Sequence, residues 1–148
     1  MIKSLSLFLI FIASAVANEK YFDYEQIKTP IGVDSQVGGL AVTPSGNLAV
    51  CFHRGEVMVY NPQSKVWTKF AEGLHEPLGI VALSDTEFVV MQRPELTVLK
   101  DTDGNGEADL YKTLNDDFGM TGNYHEFSFG PAMDKEGNFF VGLNVASN

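Results

Sequence analysis

The chain has 148 residues, of which 45% are hydrophobic and 20% are charged, so it carries enough apolar material for one globular core. Its 10 basic and 19 acidic residues give a formal net charge of −9, and its Lys and Arg residues are scattered along the sequence. Such a chain would repel a nucleic-acid backbone, so nucleic acid is excluded as an expected partner.

The first segment, residues 1–17, has the pattern of a secretory signal peptide. An early cation, Lys3, precedes an apolar run from Leu5 to Ile12, and small residues around Ala15 and Ala17 form a cleavage pattern. A membrane helix is the weaker alternative, because a bilayer needs about 20 apolar residues and this run is much shorter. We therefore expect a secreted or periplasmic protein whose mature chain has no membrane span.

After a lead-in over residues 18–37, the chain alternates apolar and polar residues with a period of two, which predicts an all-β protein. Three segments resemble one another: "TPSGNLAVCF" at 43–52, "LSDTEFVVMQ" at 83–92 and "DKEGNFFVGL" at 134–143. Their offsets of about 40 and 51 residues are those of propeller blades. The lone Cys51 excludes an intrachain disulfide, and its apolar neighbours predict a small buried side chain.

The repeats predict a β-propeller whose blades cover about 38–74 and about 75–120, with a third blade begun over 121–148. Each complete blade would have four strands. Because propellers close with roughly four to eight blades, about two and a half blades cannot close a ring. We expect the sequence to be an N-terminal fragment of a longer protein; the alternative is that several copies assemble.

The order of strands in such blades predicts that alternate loops lie at opposite ends of the sheets. The polar residues of one end are His53, Arg54, His75, Glu76, Gln92, Arg93, Glu95, Tyr124, His125 and Glu126. Arg93 has two interpretations there, a clamp for an anion or substrate and, as the preferred one, an ion-pair partner of Glu95. His53 and Arg54 are expected to form a solvated turn, because a following Gly is common in turns.

The loop "DTDGNGEADLY", residues 101–111, belongs to the other end and has the spacing of a calcium loop. Side-chain oxygens recur at alternate positions around a turn at Gly106, which suits Ca²⁺, and an EF-hand is excluded because strands flank the loop. The alternative is a solvated turn without metal. The predicted ligands are Asp101, Asp103, Asn105, Glu107 through its backbone carbonyl, and Asp109.

Three runs, "GLHEPLGI", "VMQRPELTVLKDTDGNGEADLY" and "GNYHEFSFGPAMDKEGNFFVGLN", resemble the six-bladed propellers of the glucose/sorbosone dehydrogenase superfamily. The likeness is particularly to large secreted bacterial proteins in which helical-repeat and c-type haem domains follow the propeller. The resemblance implies oxidation of a sugar or alcohol with the quinone cofactor PQQ, and a haem domain further along the protein.

The resemblance also implies that His125 is the general base, because it precedes an innermost strand and the apolar-Gly-Pro pattern of "FSFGPA". Arg93, Tyr124 and Glu126 are the accompanying candidates on the substrate face. A channel-lining histidine that ties blades together is the alternative role of His125. The alternative function is a non-catalytic, calcium-stabilised propeller that binds a glycan or a protein partner, and the 148-residue chain alone is expected to be inactive.

Overall fold

The computed structural model describes residues 24–118 and 120–144. The predicted signal peptide, residues 1–17, the first part of the lead-in and residues 145–148 lie outside the described residues. Within those that are described, the structure contains no helix, and hence none long and apolar enough to span a membrane.

The described residues form ten strands, which confirms the predicted all-β fold. They make three antiparallel sheets, in each of which strands that are consecutive in sequence are neighbours. Sheet 1 contains β1 (Val37–Val42), β2 (Leu48–Phe52), β3 (Val57–Asn61) and β4 (Val66–Ala71). Sheet 2 contains β5 (Ile80–Ala82), β6 (Glu87–Met91), β7 (Leu96–Lys100) and β8 (Leu110–Asn115). Sheet 3 contains β9 (Phe127–Met133) and β10 (Phe139–Asn144).

The three sheets are stacked, with sheet 2 in the middle. Because successive side chains of a strand point to opposite faces, β6 supplies both interfaces. Phe88 and Val90 join the core shared with sheet 1, where the Phe88 ring meets that of Phe70 edge-on at 4.6 Å between centroids. Val89 and Met91 lie in the cluster against which Phe139 of sheet 3 packs. Burial on both faces explains why this strand is apolar from Phe88 to Met91.

The first strands of the sheets lie side by side, β1 next to β5 and β5 next to β9. Glycines stand where these strands approach most closely. A Cβ atom on Gly39 would lie 2.6 Å from the Cα atom of Gly79, and a Cβ atom on Gly79 would overlap the carbonyl oxygen of Gly130. The backbones therefore touch at positions where only glycine fits.

Cys51 is fully buried in the core between sheets 1 and 2, as the sequence predicts. Its Sγ atom lies 3.9 Å from the carbonyl oxygen of Pro77. Burial raises the pKa of this thiol to about 11, because an apolar environment disfavours the thiolate. The side chain therefore acts as a small apolar residue with low nucleophilicity.

The loops at the two ends of the sheets differ in character. At one end, here called the turn end, Asp85 in the β5–β6 turn accepts a hydrogen bond from the Ser45 amide of the β1–β2 turn at 3.1 Å. The Asp101 amide donates to the Thr86 carbonyl at 2.9 Å, so the acidic loop also lies there. The opposite end, here called the polar end, contains residues 53–56, 72–79, 92–95, 116–118 and 120–126.

Candidate functional site at the polar end

Arg93, in the turn between β6 and β7, lies at the centre of the polar end. Its Nη1 atom donates to a carboxylate oxygen of Glu76 at 2.8 Å, and its Nη2 atom donates to the carbonyl oxygen of Asn123 at 2.5 Å. The guanidinium lies 5.2 Å from the centre of the Phe127 ring, and only 12% of the side chain is exposed. Arg93 therefore bonds to groups of the chain itself, and most of its donors are not presented to solvent.

The predicted pairing of Arg93 with Glu95 is wrong. The Glu95 carboxylate accepts hydrogen bonds from the side chains of Gln92, Thr97 and Thr113, at 3.1, 2.5 and 2.9 Å. Glu95 is close to Arg93 in sequence, but the turn directs the two side chains to different neighbours. The actual partner, Glu76, lies in the segment that joins sheets 1 and 2, and sequence distance gave no sign of it.

Glu126 is buried and holds the loop that precedes β9. Its carboxylate accepts hydrogen bonds from the amide and the hydroxyl of Thr121, at 2.7 and 2.8 Å. The residue is 7% exposed, and its amide donates to the Asn123 carbonyl at 3.1 Å. The structure thus places this substrate-face candidate inside the loop, where it braces residues 121–126.

His125 and Tyr124 are the exposed part of the same loop. Tyr124 is 72% exposed, and its ring lies 3.8 Å from the imidazole, centroid to centroid. The main chain of His125 is fixed on both sides, since its amide donates to the side chain of Asn123 at 3.0 Å and its carbonyl accepts from that of Asn144 at 2.9 Å. The imidazole is therefore carried on an anchored backbone and faces solvent.

A pocket of about 470 Å³ lies between the loops of sheet 1 and the segment that leads to sheet 2, and Glu76, the partner of Arg93, is one of its lining residues. The Nε2 atoms of His53 and His75 each lie 3.8 Å from a carboxylate oxygen of Glu76. The His53 ring is also 6.1 Å from that of Phe127 in sheet 3. The residues that line the pocket are Gln36, His53, Arg54, Leu74, His75 and Glu76.

His53 was expected in a solvated turn, but its side chain is 28% exposed and lies against two neighbouring segments. The backbone of Glu76 adopts a φ of +47°, in the left-handed region that residues with a side chain rarely occupy. The sequence predicted correctly that His53, His75 and Glu76 lie at the same end of the sheets. It could not predict that the Glu76 carboxylate contacts both imidazoles.

The acidic loop at the turn end is held together by its own hydrogen bonds. The Asp101 carboxylate accepts from the amides of Gly104, Asn105 and Gly106, at 2.7, 3.3 and 2.9 Å, and these bonds lower its pKa. The Asp109 carboxylate accepts from the hydroxyl and amide of Thr102, which lower its pKa in the same way. The hydrogen bonds of the loop therefore stabilise the ionised carboxylates of Asp101 and Asp109.

In this arrangement the loop oxygens are directed at amides and hydroxyls of the loop. No group of three His, Cys, Asp or Glu side chains within residues 24–118 and 120–144 is placed to hold a metal ion. The loop also bridges two sheets, because the Ala108 amide donates to the carbonyl of Phe70 in sheet 1 at 2.7 Å. Hydrogen bonds within the loop and to sheet 1 therefore give it a structural role.

The model of a protein family described as a domain of unknown function, DUF7133, matches residues 64–144, more than half of the chain. The chain belongs to this family. The match covers β4, sheets 2 and 3 and the polar end around Arg93 and His125. A search of curated proteins gave no match to the chain.

Proposed function

We propose that the chain supplies the first blades of a secreted β-propeller that oxidises a sugar or a related alcohol at the polar end. The observation that carries the proposal is the convergence there of loops from all three sheets. The exposed His125 and the pocket of His53, His75 and Glu76 lie at this same end. The resemblance to glucose/sorbosone dehydrogenases supports the reaction class, and the side-by-side first strands support the propeller. A haem domain further along the protein is part of the same proposal.

The exposed apolar residues of sheet 3 support a propeller that continues. The second strands of sheets 1 and 2 are almost wholly buried, whereas β10 occupies the corresponding place in sheet 3 and is exposed along most of its length. Phe140 is 59% exposed and Leu143 44%. Apolar strand edges of this kind are normally paired or covered in stable proteins.

His125 is suited to accept the hydroxyl proton of an alcohol. A neutral imidazole near pH 7 takes up a proton readily, and the fixed main chain limits how far the ring can move. In an alcohol oxidation the substrate loses this proton and, from the carbon that bears the hydroxyl group, a hydride, which passes to a two-electron acceptor such as a quinone and leaves a carbonyl group. His125 is proposed for the proton step alone.

The described residues do not by themselves fit PQQ, whose carboxylates require cationic partners. Arg93 is bound to Glu76 and Asn123, and Arg54 is paired with Asp34 at 3.1 Å. The proton step at His125 is therefore proposed independently of PQQ, and turnover should be compared with and without added PQQ.

The test is reduction of a redox dye by the complete secreted protein with a panel of sugars and alcohols. His125→Ala is expected to lower kcat by about 100-fold or more, the usual effect of losing a general base. It should leave the melting temperature unchanged, because the ring is exposed. Lys135→Ala is the matched control, an exposed residue at the opposite end of the same domain, and it should keep full activity. Equal turnover by wild type and His125→Ala would rule out His125 as the base.

A second candidate function, a non-catalytic propeller that binds glycans, is favoured by the pair of Tyr124 and His125. An exposed aromatic ring that lies against a second ring, here at an interplanar angle of 38°, is a surface on which the apolar face of a sugar can pack. This alternative requires glycan binding that Tyr124→Ala weakens, without dye reduction under any condition.

We also propose that the acidic loop binds calcium as a structural ion. The alternating side-chain oxygens and the left-handed turn at Gly106, with a φ of +91°, support the proposal, but Asp101 and Asp109 would have to release their present hydrogen bonds. Titration calorimetry should show binding at millimolar calcium or below, and a higher melting temperature with calcium than with a chelator. Asp101→Asn should abolish both effects. Absence of binding at millimolar calcium would contradict the calcium proposal and support the alternative, a hydrogen-bonded turn that binds no metal.

A further inference from the structure

Arg93 connects three segments that are remote in sequence. Besides its bonds to Glu76 and Asn123, its amide donates to the His75 carbonyl at 2.8 Å, and its carbonyl accepts from the hydroxyl of Ser128 at 3.0 Å. Ser128 is 1% exposed, at the start of sheet 3. Both the side chain and the main chain of Arg93 thus bind the crossover to sheet 2 on one side and the loop and first strand of sheet 3 on the other.

The contact with Asn123 leads directly to His125. The Asn123 carbonyl accepts from Arg93 and from the Glu126 amide, and the Asn123 side chain accepts from the His125 amide. The amides of His125 and Glu126 therefore both donate to Asn123, the residue to which the Arg93 side chain is bonded. A shift of Asn123 would move His125 with it.

We propose that Arg93 is a positioning residue, which fixes the loop of His125 against sheet 2 through Asn123 and is itself oriented by Glu76. This inference rests on the proposed function in assigning the proton step to His125. It replaces the substrate clamp, which was the less favoured interpretation of Arg93 from the sequence, because the side chain is only 12% exposed and already binds a carboxylate and a carbonyl of the chain.

The planar fork of arginine is required for this role. Two Nη atoms of one guanidinium reach Glu76 and Asn123 at the same time, whereas the single nitrogen of lysine keeps the positive charge without the fork. Arg93→Lys is therefore expected to keep the ion pair with Glu76 and to lose the hydrogen bond to the Asn123 carbonyl. Arg93→Ala removes both and leaves the Glu76 carboxylate, which is 32% exposed, without its cation.

The experiment measures hydrogen exchange of backbone amides by NMR in the complete protein, together with kcat and KM. In Arg93→Lys the amides of His125 and Glu126 should exchange about tenfold faster, as expected when a hydrogen bond from a charged donor is lost locally. The amides of Gly104 and Gly106 at the turn end should keep their wild-type rates. In the same variant kcat should fall about tenfold or more with KM nearly unchanged, because the base is displaced while other substrate contacts remain.

Lys100→Ala is the matched control, since it breaks an ion pair with Glu87 of 2.9 Å in the same sheet but at the turn end. It should leave both the exchange at His125 and the kinetic constants unchanged. Wild-type exchange at His125 and Glu126 in Arg93→Lys would overturn the proposal, as would faster exchange that extends to Gly104 and Gly106. Faster local exchange with unchanged kcat would overturn the link to His125. A wild-type protein without turnover would defeat the proposed function, while the exchange data would still decide whether Arg93 positions the loop.

Discussion

Replacement of Gly79 by alanine is expected to lower the free energy of unfolding by about 3 kcal/mol or more, the upper range for overpacking a rigid site. The new Cβ atom would collide with the carbonyl oxygen of Gly130, and its next contacts are also backbone atoms of Gly130. Backbone cannot rotate away as the end of a flexible side chain can. The first strands of sheets 2 and 3 would have to separate, and the apolar contacts between the sheets would weaken.

Chemical denaturation followed by circular dichroism measures this effect. The matched control is Gly122→Ala, because a Cβ atom at Gly122 meets no other atom within 4 Å. Its cost should stay within about 0.5 kcal/mol, as for most surface substitutions. If the two variants were equally stable, the close approach of Gly79 and Gly130 could not be present in solution.

Leu99→Ala is expected to cost about 2–5 kcal/mol, the range for deleting a buried leucine side chain and leaving a cavity. Leu99 is fully buried in the core that sheets 1 and 2 share, where the large rings of Phe70 and Phe88 limit how far the neighbours can move in. The cost should appear as a lower denaturation midpoint with an unchanged dependence on denaturant.

Leu110→Ala is the control for the Leu99 variant. Leu110 belongs to the adjacent strand β8, has the same side chain and is 40% exposed. It should cost less than about 1 kcal/mol, since a large part of this side chain is already in contact with water and its removal leaves no closed cavity. Similar losses for both variants would mean that sheets 1 and 2 do not stack through Leu99.

The strands were the most predictable part of the fold. The repeated segment "LSDTEFVVMQ" predicted a strand of the second blade, and the structure has β6 there, from Glu87 to Met91. Turn residues such as those of "PSGN" and "DKEGN" predicted the hairpins. Strands and turns are predictable because backbone preference and apolar alternation depend only on residues that are neighbours in sequence. The lone Cys51 was also assigned correctly to the core.

The candidate site was predictable only in outline. The strand order placed Arg93 and Glu76 at the same end of the sheets, but their ion pair joins residues 17 positions apart and was missed. Glu95 seemed the natural partner because it is near in sequence, yet the turn directs it to threonines of β7 and β8. The 121–126 loop likewise hides Glu126 and exposes His125, although the two are adjacent.

The sequence by itself determined the all-β fold, the places of the strands, the burial of Cys51 and the residues that gather at each end. Only the tertiary structure decided which of those residues bind one another: Arg93 with Glu76 and Asn123, and the Asp101 carboxylate with amides of its own loop. The physical reason is the sequence distance over which each interaction acts. Alternation and turn preference depend on adjacent residues, whereas the partner of a charged side chain depends on how whole sheets stack and how closely their glycine-lined first strands approach.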